Sequence, residues 1–216
     1  MKGTICRWML GTGLATALIF TTTGCESGGF LWWDDDDTTK AQAQDAQVDA
    51  DAMMEAWMAF GQPGPQHEWM KKFEGTWGVT GSASMAPGEE PMPMSGTSTY
   101  TMILDGRFLK EHHVSDSADM PFQGLGYLGF DNSSHKYVGI WMDSTTTAIM
   151  RAEGTFDEAT GKLVTTGSYY DPISATNKTM RGETWFVDDD TIQADMFQPG
   201  PDGTMYMTMT MQYRRK

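Results

Sequence analysis

Glu74-Gly75-Thr76-Trp77-Gly78-Val79-Thr80 decides the fold of this chain, because its Gly-x-Trp sequence leads into the first of many short β-strands. From Trp77 to the C-terminus, half-alternating apolar and polar segments end in turns such as Asp105-Gly106 and Pro201-Asp202-Gly203. Short strands joined by turns are typical of an antiparallel up-and-down sheet. Closure into a barrel would leave no exposed edge strand. We therefore predict an all-β barrel with Trp77 filling its closed end.

The turn sequences divide the barrel region into ten predicted strands. Their bounds are 77–85, 96–104, 106–114, 121–130, 136–143, 147–156, 162–170, 179–187, 191–198 and 204–214.

The last strand has the clearest alternation. Met205, Met207, Met209, Met211 and Tyr213 share one face, and we expect that face to point inward. Methionines of other strands could join it, namely Met102, Met142, Met150, Met180 and Met196. Because methionine is flexible and fills irregular spaces, both a filled core and a deformable apolar pocket fit this pattern.

Two amphipathic helices are predicted before the barrel. Apolar residues recur at intervals of three and four over about 39–60, until Gly61-Gln62-Pro63-Gly64-Pro65 ends the helix. A shorter helix over about 66–74 places Trp69 and Phe73 on one face. Such a helix would cap one end of the barrel.

The N-terminus has the pattern of a secretion signal. Lys2 and Arg7 flank the start of an apolar run of about a dozen residues, the length of a signal-peptide core and too short to span a bilayer. The run ends in Thr22-Thr23-Gly24-Cys25, which resembles the bacterial lipobox, although Thr22 replaces its usual leucine. The resemblance implies that Cys25 is lipidated. Glu26 differs from the aspartate that favours inner-membrane retention, so we expect an outer-membrane lipoprotein facing the periplasm, or else a secreted or periplasmic protein.

These signals divide the chain into four predicted parts. They are a signal peptide (1–24), a lipidated cysteine with an acidic disordered spacer (25–40), the amphipathic helices (41–74) and the barrel (75–216).

Composition excludes several classes of function. Cys6 and Cys25 are the only cysteines, so no disulfide, thiolate metal site or cysteine nucleophile is expected in the barrel. The formal net charge of −14 argues against nucleic acid as a partner, because a phosphate backbone would be repelled. The sequence leaves the oligomeric state open.

An ordered set of short motifs resembles domain-of-unknown-function family 1579. The set begins with Gly64-Pro65-Gln66-His67-Glu68-Trp69-Met70 and Glu74-Gly75-Thr76-Trp77 and covers about residues 60–216. It continues through Gly106-Arg107-Phe108-Leu109, Phe122-Gln123-Gly124, Gly129-Phe130-Asp131, Trp141-Met142-Asp143-Ser144, Asp171-Pro172 and Met211-Gln212-Tyr213. The resemblance implies a lipocalin-like (calycin) barrel. It brings no established catalytic residues.

No metal or other cofactor is predicted. His112 and His113 are adjacent on a strand, so only one can face the interior. Haem-binding barrels of similar type use a histidine of a late strand, and no histidine follows His135 here. Met92 and Met94, expected in the first strand connection, are too few for a Cu(I) site. His67 is expected at the surface or at a helix cap.

Which face of strands 147–156 and 179–187 points inward is left open by the sequence. Arg181 shares a face with Glu183 and Trp185, whereas the opposite face carries Met180 and Phe186. An inward Arg181 would need a carboxylate partner or an anionic ligand such as a fatty acid, because an unpaired buried charge is costly.

The function predicted from these features is binding of a small apolar or amphiphilic molecule inside the barrel of an envelope lipoprotein. The expected ligand-binding residues are Arg181, Trp141, Tyr127, Tyr213 and Asp143. A structural or interaction lipoprotein with a filled barrel is the alternative. An enzyme using mouth residues such as Asp143 is less favoured, since Asp143-Ser144 is also common turn chemistry and no Gly-x-Ser-x-Gly motif occurs.

Overall fold

The computed structural model describes residues 49–172 and 174–216. The predicted signal peptide, Cys25, the acidic spacer and the beginning of the first helix lie outside the described residues. In the described residues two helices precede the barrel, α1 (Ala50–Phe60) and α2 (Pro65–Lys71). Within the described part of the chain, neither helix has the length and apolar character needed to cross a membrane.

Ten antiparallel strands form the rest of the described chain and close into a barrel, in the order β1-β10-β9-β8-β7-β6-β5-β4-β3-β2. The predicted ten-stranded up-and-down barrel is therefore confirmed. The strands are β1 (Gly75–Ala83), β2 (Met92–Ile103), β3 (Phe108–Ser115), β4 (Gln123–Asp131), β5 (Lys136–Asp143), β6 (Met150–Asp157), β7 (Lys162–Asp171), β8 (Thr176–Asp188), β9 (Thr191–Pro199) and β10 (Met205–Arg215).

β2 begins earlier than its sequence pattern predicts. Met92 and Met94 were expected in the connection before it, but they lie in the strand, paired with Ala83 and Gly81. Pro93 lies between them near the beginning of the strand, where the absence of an N–H group is tolerated. The prediction that these methionines occupy a loop was wrong.

Helix α2 closes one end of the barrel. Met70 and Trp77 have no exposed surface, and Phe73 is also buried. The Trp77 indole N–H donates to the Phe73 carbonyl oxygen at 2.8 Å, which fixes the first strand against the helix end. His67 caps the helix by accepting from the Gly64 N–H at 2.9 Å, and it is buried rather than at the surface.

The interior face of β10 differs from the predicted one. A β-bulge lies between Met207 and Met209. Because the extra residue reverses the alternation, Met209 and Tyr213 point inward, whereas Met205 and Met207 are exposed on the outside. The prediction of one continuous inward methionine face was therefore wrong at its N-terminal half. The inward position at this end belongs to Tyr206, which pairs with Gln198.

Strand register also fixes the faces that the sequence left open. Phe186 pairs with Ile192 and packs in the core, so alternate residues Met180, Gly182 and Thr184 face inward. Arg181 consequently faces outward. By the same alternation Met102, Met150 and Met196 face inward, and Met142 does not.

Candidate functional site

The barrel interior is filled at the α2 end and less filled at the opposite end, which we call the mouth. Near α2 the inward side chains of Leu109, Tyr137, Leu163 and Ile192 are all buried. Toward the mouth the inward residues keep accessible surface although they face the barrel interior. They include Met94, Trp141, Met150, Met180, Met196, Met209 and Met211. This half of the interior, which we call the lumen, is lined mainly by thioethers.

A chain of polar side chains lies inside the barrel above the core. Ser98 is fully buried, and its Oγ donates to Glu111 Oε1 at 2.8 Å. The same Oγ lies 2.9 Å from His113 Nδ1. The Tyr100 hydroxyl bonds to Glu111 and to Tyr213. We call these five residues the polar cluster; they connect β2, β3 and β10.

Burial shifts the proton affinities of this cluster. It raises the pKa of Glu111 above 4.5, despite opposing hydrogen bonds from Ser98 and Tyr100. It lowers the pKa of His113 below 6.5, which favours the neutral imidazole. Burial, with Glu111 nearby, also raises the pKa of both Tyr100 and Tyr213. Burial thus disfavours the charged forms of both Glu111 and His113 in this cluster.

Strand pairing explains why these residues meet. Ser98 pairs with His113 and Tyr100 with Glu111 across β2 and β3. Ser98 and Tyr100 are two residues apart on β2, and Glu111 and His113 are two residues apart on β3. All four side chains therefore point to the inward face. Glu111, Ser98 and Tyr100 were not among the residues predicted from the sequence. The signal was available in Ser98-x-Tyr100 and Glu111-x-His113, two polar pairs with period two on adjacent predicted strands.

Trp141 forms one wall of the lumen. Its ring lies where a side chain at position 124 would be: a Cβ on Gly124 would come within 2.0 Å of Trp141 Cζ2. Phe122 stacks beside it, with ring centroids 6.4 Å apart and planes 20° apart. Glycine at 124 therefore allows the indole to lie against β4.

Asp143 lies at the mouth and stabilises a turn through its hydrogen bonds. It accepts from the Trp141 indole N–H at 3.1 Å and from the N–H and hydroxyl groups of Thr145. Partial burial acts to raise the pKa of Asp143, but these hydrogen bonds outweigh it and lower the pKa overall. The carboxylate thus fixes the Trp141 ring and the β5–β6 connection.

The structure brings some of the predicted ligand-binding residues together and separates others. Trp141, Tyr213 and Asp143 face the interior, whereas Tyr127 and Arg181 face outward. On the outer face Arg181 forms an ion pair with Glu183, which also binds Lys162 at 2.6 Å. Arg181 therefore does not supply a cation for a ligand inside the barrel.

Tyr127 belongs instead to a groove of about 500 Å³ on the outside of the barrel. Phe60, Phe108, Val138 and Ile140 also line it. Phe60, Phe108 and Ile140 are exposed. This groove is separate from the lumen.

The described part of the chain does not bring together a set of metal-ligating side chains. No group of three or more histidine, cysteine, aspartate or glutamate side chains there is arranged to hold a metal ion. His112 and His113 point to opposite faces, and only His113 is buried in the interior.

The model of the family described as "Protein of unknown function (DUF1579)" matches residues 62–215. The chain is a member of the DUF1579 family. The match includes α2 and almost all of the barrel, so the DUF1579 match contains both the lumen and the polar cluster. No curated protein matches the chain.

Solved structures with similar barrels share little sequence with this DUF1579 chain. Rv2717c from M. tuberculosis is 13% identical with a TM-score of 0.51, over 72% of this chain and 99% of that one. The S-type phycobiliprotein lyase CPES from Guillardia theta is 14% identical with a TM-score of 0.48, over 70% and 92%. A redesigned β-barrel is 15% identical with a TM-score of 0.35, over 68% and 94%. At such identities the likeness to Rv2717c supports the fold alone.

Proposed function

We propose that this protein is an envelope lipoprotein whose lumen binds a small apolar or amphiphilic molecule. The observation that carries the proposal is the contrast between the two ends of the barrel interior. Side chains next to α2 are buried, yet inward methionines toward the mouth keep accessible surface. Apolar walls with a few polar groups are the usual composition of small-molecule sites.

The lining suits a ligand of variable shape. Met150, Met180, Met196 and Met209 approach the lumen from four strands. Thioether side chains can change rotamer at low cost and pack against irregular apolar surfaces. Trp141 adds a flat aromatic wall. The polar cluster at the base of the lumen supplies the groups that could orient a ligand.

The anchor is part of the same proposal. The Gly24-Cys25 end of the apolar run motivates lipidation of Cys25 and an outer-membrane location facing the periplasm. A diacylated or triacylated cysteine gives a stable membrane anchor, because more than one chain is inserted. The protein would then present its lumen to the periplasm close to a source of apolar molecules.

Native mass spectrometry tests the binding proposal. The whole chain carrying Cys25→Ser would be purified without detergent and measured under native and denaturing conditions. We expect a mass excess in the native spectrum that is lost on denaturation, and a rise in melting temperature with apolar small molecules. A bare native mass, together with an unchanged melting temperature across a panel of lipids and metabolites, would instead support a filled structural barrel.

A further inference from the structure

The distribution of charge inside the barrel restricts what the lumen can bind. Among the described strand residues, lysine and arginine face the interior only at its two ends. Lys178 lies at the mouth and is paired with Asp171, and Arg215 lies beyond the core and is paired with Asp190. Between them the charged group is Glu111. A carboxylate ligand would therefore find no available cation at the base of the lumen.

Glu111 has a side that can meet a ligand. Ser98 occupies its Oε1. Its Oε2 lies 3.4 Å from the point that a Cβ on Gly126 would occupy, and Trp141 Cε3 lies 3.3 Å from the same point. Because these distances are at or below the lower limit of ordinary van der Waals contacts, glycine at 126 is what allows the Glu111 carboxyl and the Trp141 indole to lie this close to β4. Glu111 itself keeps some accessible surface although it faces inward, and this is the surface that a ligand in the lumen could reach.

The hydrogen bonds around Glu111 suit a neutral partner. Ser98 and Tyr100 carry hydroxyls, which both donate and accept, and the Glu111 carboxyl accepts from Ser98. An uncharged hydroxyl or carbonyl group of a ligand could join this network without bringing a charge into the interior. A carboxylate would lose its hydration next to a carboxyl group, which is costly without a cation.

We infer that the lumen selects uncharged amphiphiles, with an apolar chain or ring and one hydroxyl or carbonyl head group, and that Glu111 is the residue that excludes carboxylates. The inference rests on the proposed function, because it specifies the ligand of the same lumen. It differs from the sequence-based expectation of a fatty acid held by Arg181, which faces outward beside Glu183.

A matched pair of twelve-carbon probes tests this inference. Binding of dodecan-1-ol and of dodecanoate to the Cys25→Ser chain would be measured by calorimetry at about pH 8, where dodecanoate is ionised. We expect the alcohol to bind at least about tenfold more tightly than the carboxylate. The variant Glu111→Gln should retain the alcohol and reduce the preference to less than about threefold. The control Glu153→Gln makes the same change on the outer face, where Glu153 pairs with Lys136, and should leave the preference unchanged.

The possible results separate this inference from the proposed function. N-phenyl-1-naphthylamine, a fluorescent apolar probe, would be titrated into the same samples to report binding without regard to the head group. Where the fluorescent probe binds, three results would each contradict the inference and leave the lumen as a binding site. Dodecanoate could bind with the same affinity as the alcohol, or Glu111→Gln could keep the wild-type preference for the alcohol. In the third result, neither twelve-carbon probe binds. If none of the three probes binds, both the inference and the proposed function fail.

Discussion

The guanidinium carbon of Arg215 lies 4.1 Å from the centroid of the Trp77 indole. The same guanidinium donates to the carbonyl oxygens of Glu74 and Lys72, at 2.8 and 3.1 Å, and to Asp190. The penultimate residue of the chain thus ties the end of β10 to the segment between α2 and β1. It covers the outer side of the residue that fills the closed end.

Replacement of Arg215 should weaken this closure. Arg215→Ala removes a cation–π contact and several charge-assisted hydrogen bonds, so we expect the free energy of unfolding to fall by about 2 kcal/mol. Urea denaturation followed by tryptophan fluorescence measures it. Arg151→Ala is the control, because Arg151 is 69% exposed and outward-facing, and it should change stability by less than about 0.5 kcal/mol. Equal effects of the two substitutions would contradict the role of Arg215.

Glu111 should make stability depend on pH. Burial raises the pKa of Glu111 above 4.5, so the folded state holds this proton more tightly than the unfolded state does. The stabilising contribution is complete below 4.5 and is lost as the pH rises toward the folded pKa. Glu111→Gln cannot lose a proton, so its stability relative to wild type should increase as the pH rises through this window.

The comparison of the two proteins removes an opposing effect. The lowered pKa of His113 makes both proteins lose stability as the pH falls through 6.5. Urea midpoints of wild type and Glu111→Gln, measured from about pH 4 to pH 8, give the difference. A difference that does not change with pH would show that Glu111 titrates normally.

Gly124 should tolerate no side chain as long as Trp141 keeps its position. A Cβ at 124 would meet the indole at 2.0 Å, whereas a Cβ at the inward Gly139 would have ordinary contacts of 3.5 Å or more. We expect Gly124→Ala to cost about 1–3 kcal/mol through overpacking and to change the near-UV circular dichroism of tryptophan. Gly139→Ala is the matched control and should leave that spectrum unchanged. If Gly124→Ala costs as much in the Trp141→Leu background as it does in wild type, the clash with the indole is not the cause.

Lipidation of Cys25 predicts where the protein is found in a cell. Cys25→Ser removes the only site for the proposed acyl chains, and the protein should move from the membrane to the soluble periplasmic fraction. Cys6→Ser, within the proposed signal peptide, should still yield a membrane-bound protein. Fractionation followed by immunoblotting compares the two variants. Membrane association that persists in Cys25→Ser would contradict the lipid anchor.

The architecture could be predicted from the sequence because turns and alternation are local signals. Asp105-Gly106 and similar turns mark where strands end, and Trp77 and Phe73 mark the closed end. The incorrect predictions concerned features that local sequence patterns do not determine. The bulge between Met207 and Met209 reverses the faces of β10, and a strict period of two cannot reveal it.

The candidate site was only partly predictable for a related reason. Trp141 and Tyr213 were predicted to bind a ligand and do face the interior, whereas Tyr127 was predicted with them and faces outward. Arg181 was weighed with its face undetermined. The pairing of Phe186 with Ile192 shows that Arg181 faces outward. This pairing depends on the tertiary structure and cannot be derived from the local sequence. Glu111 was missed because a single carboxylate on a strand usually faces solvent. Its partner Ser98 shows otherwise only after β2 and β3 are placed in register.

Methionine oxidation tests the central claim, that a ligand occupies the lumen, most directly. Met207 and Met209 are two residues apart, one outward and one inward. The Cys25→Ser chain would be treated with hydrogen peroxide with and without saturating dodecan-1-ol, and sulfoxide formation at each methionine would be quantified by peptide mass spectrometry. We predict that the probe slows oxidation of Met180, Met196 and Met209 and leaves Met207 unchanged. Bound probe with no protection of these inward methionines would contradict the account and place the ligand elsewhere, with the outer groove at Tyr127 as the next candidate.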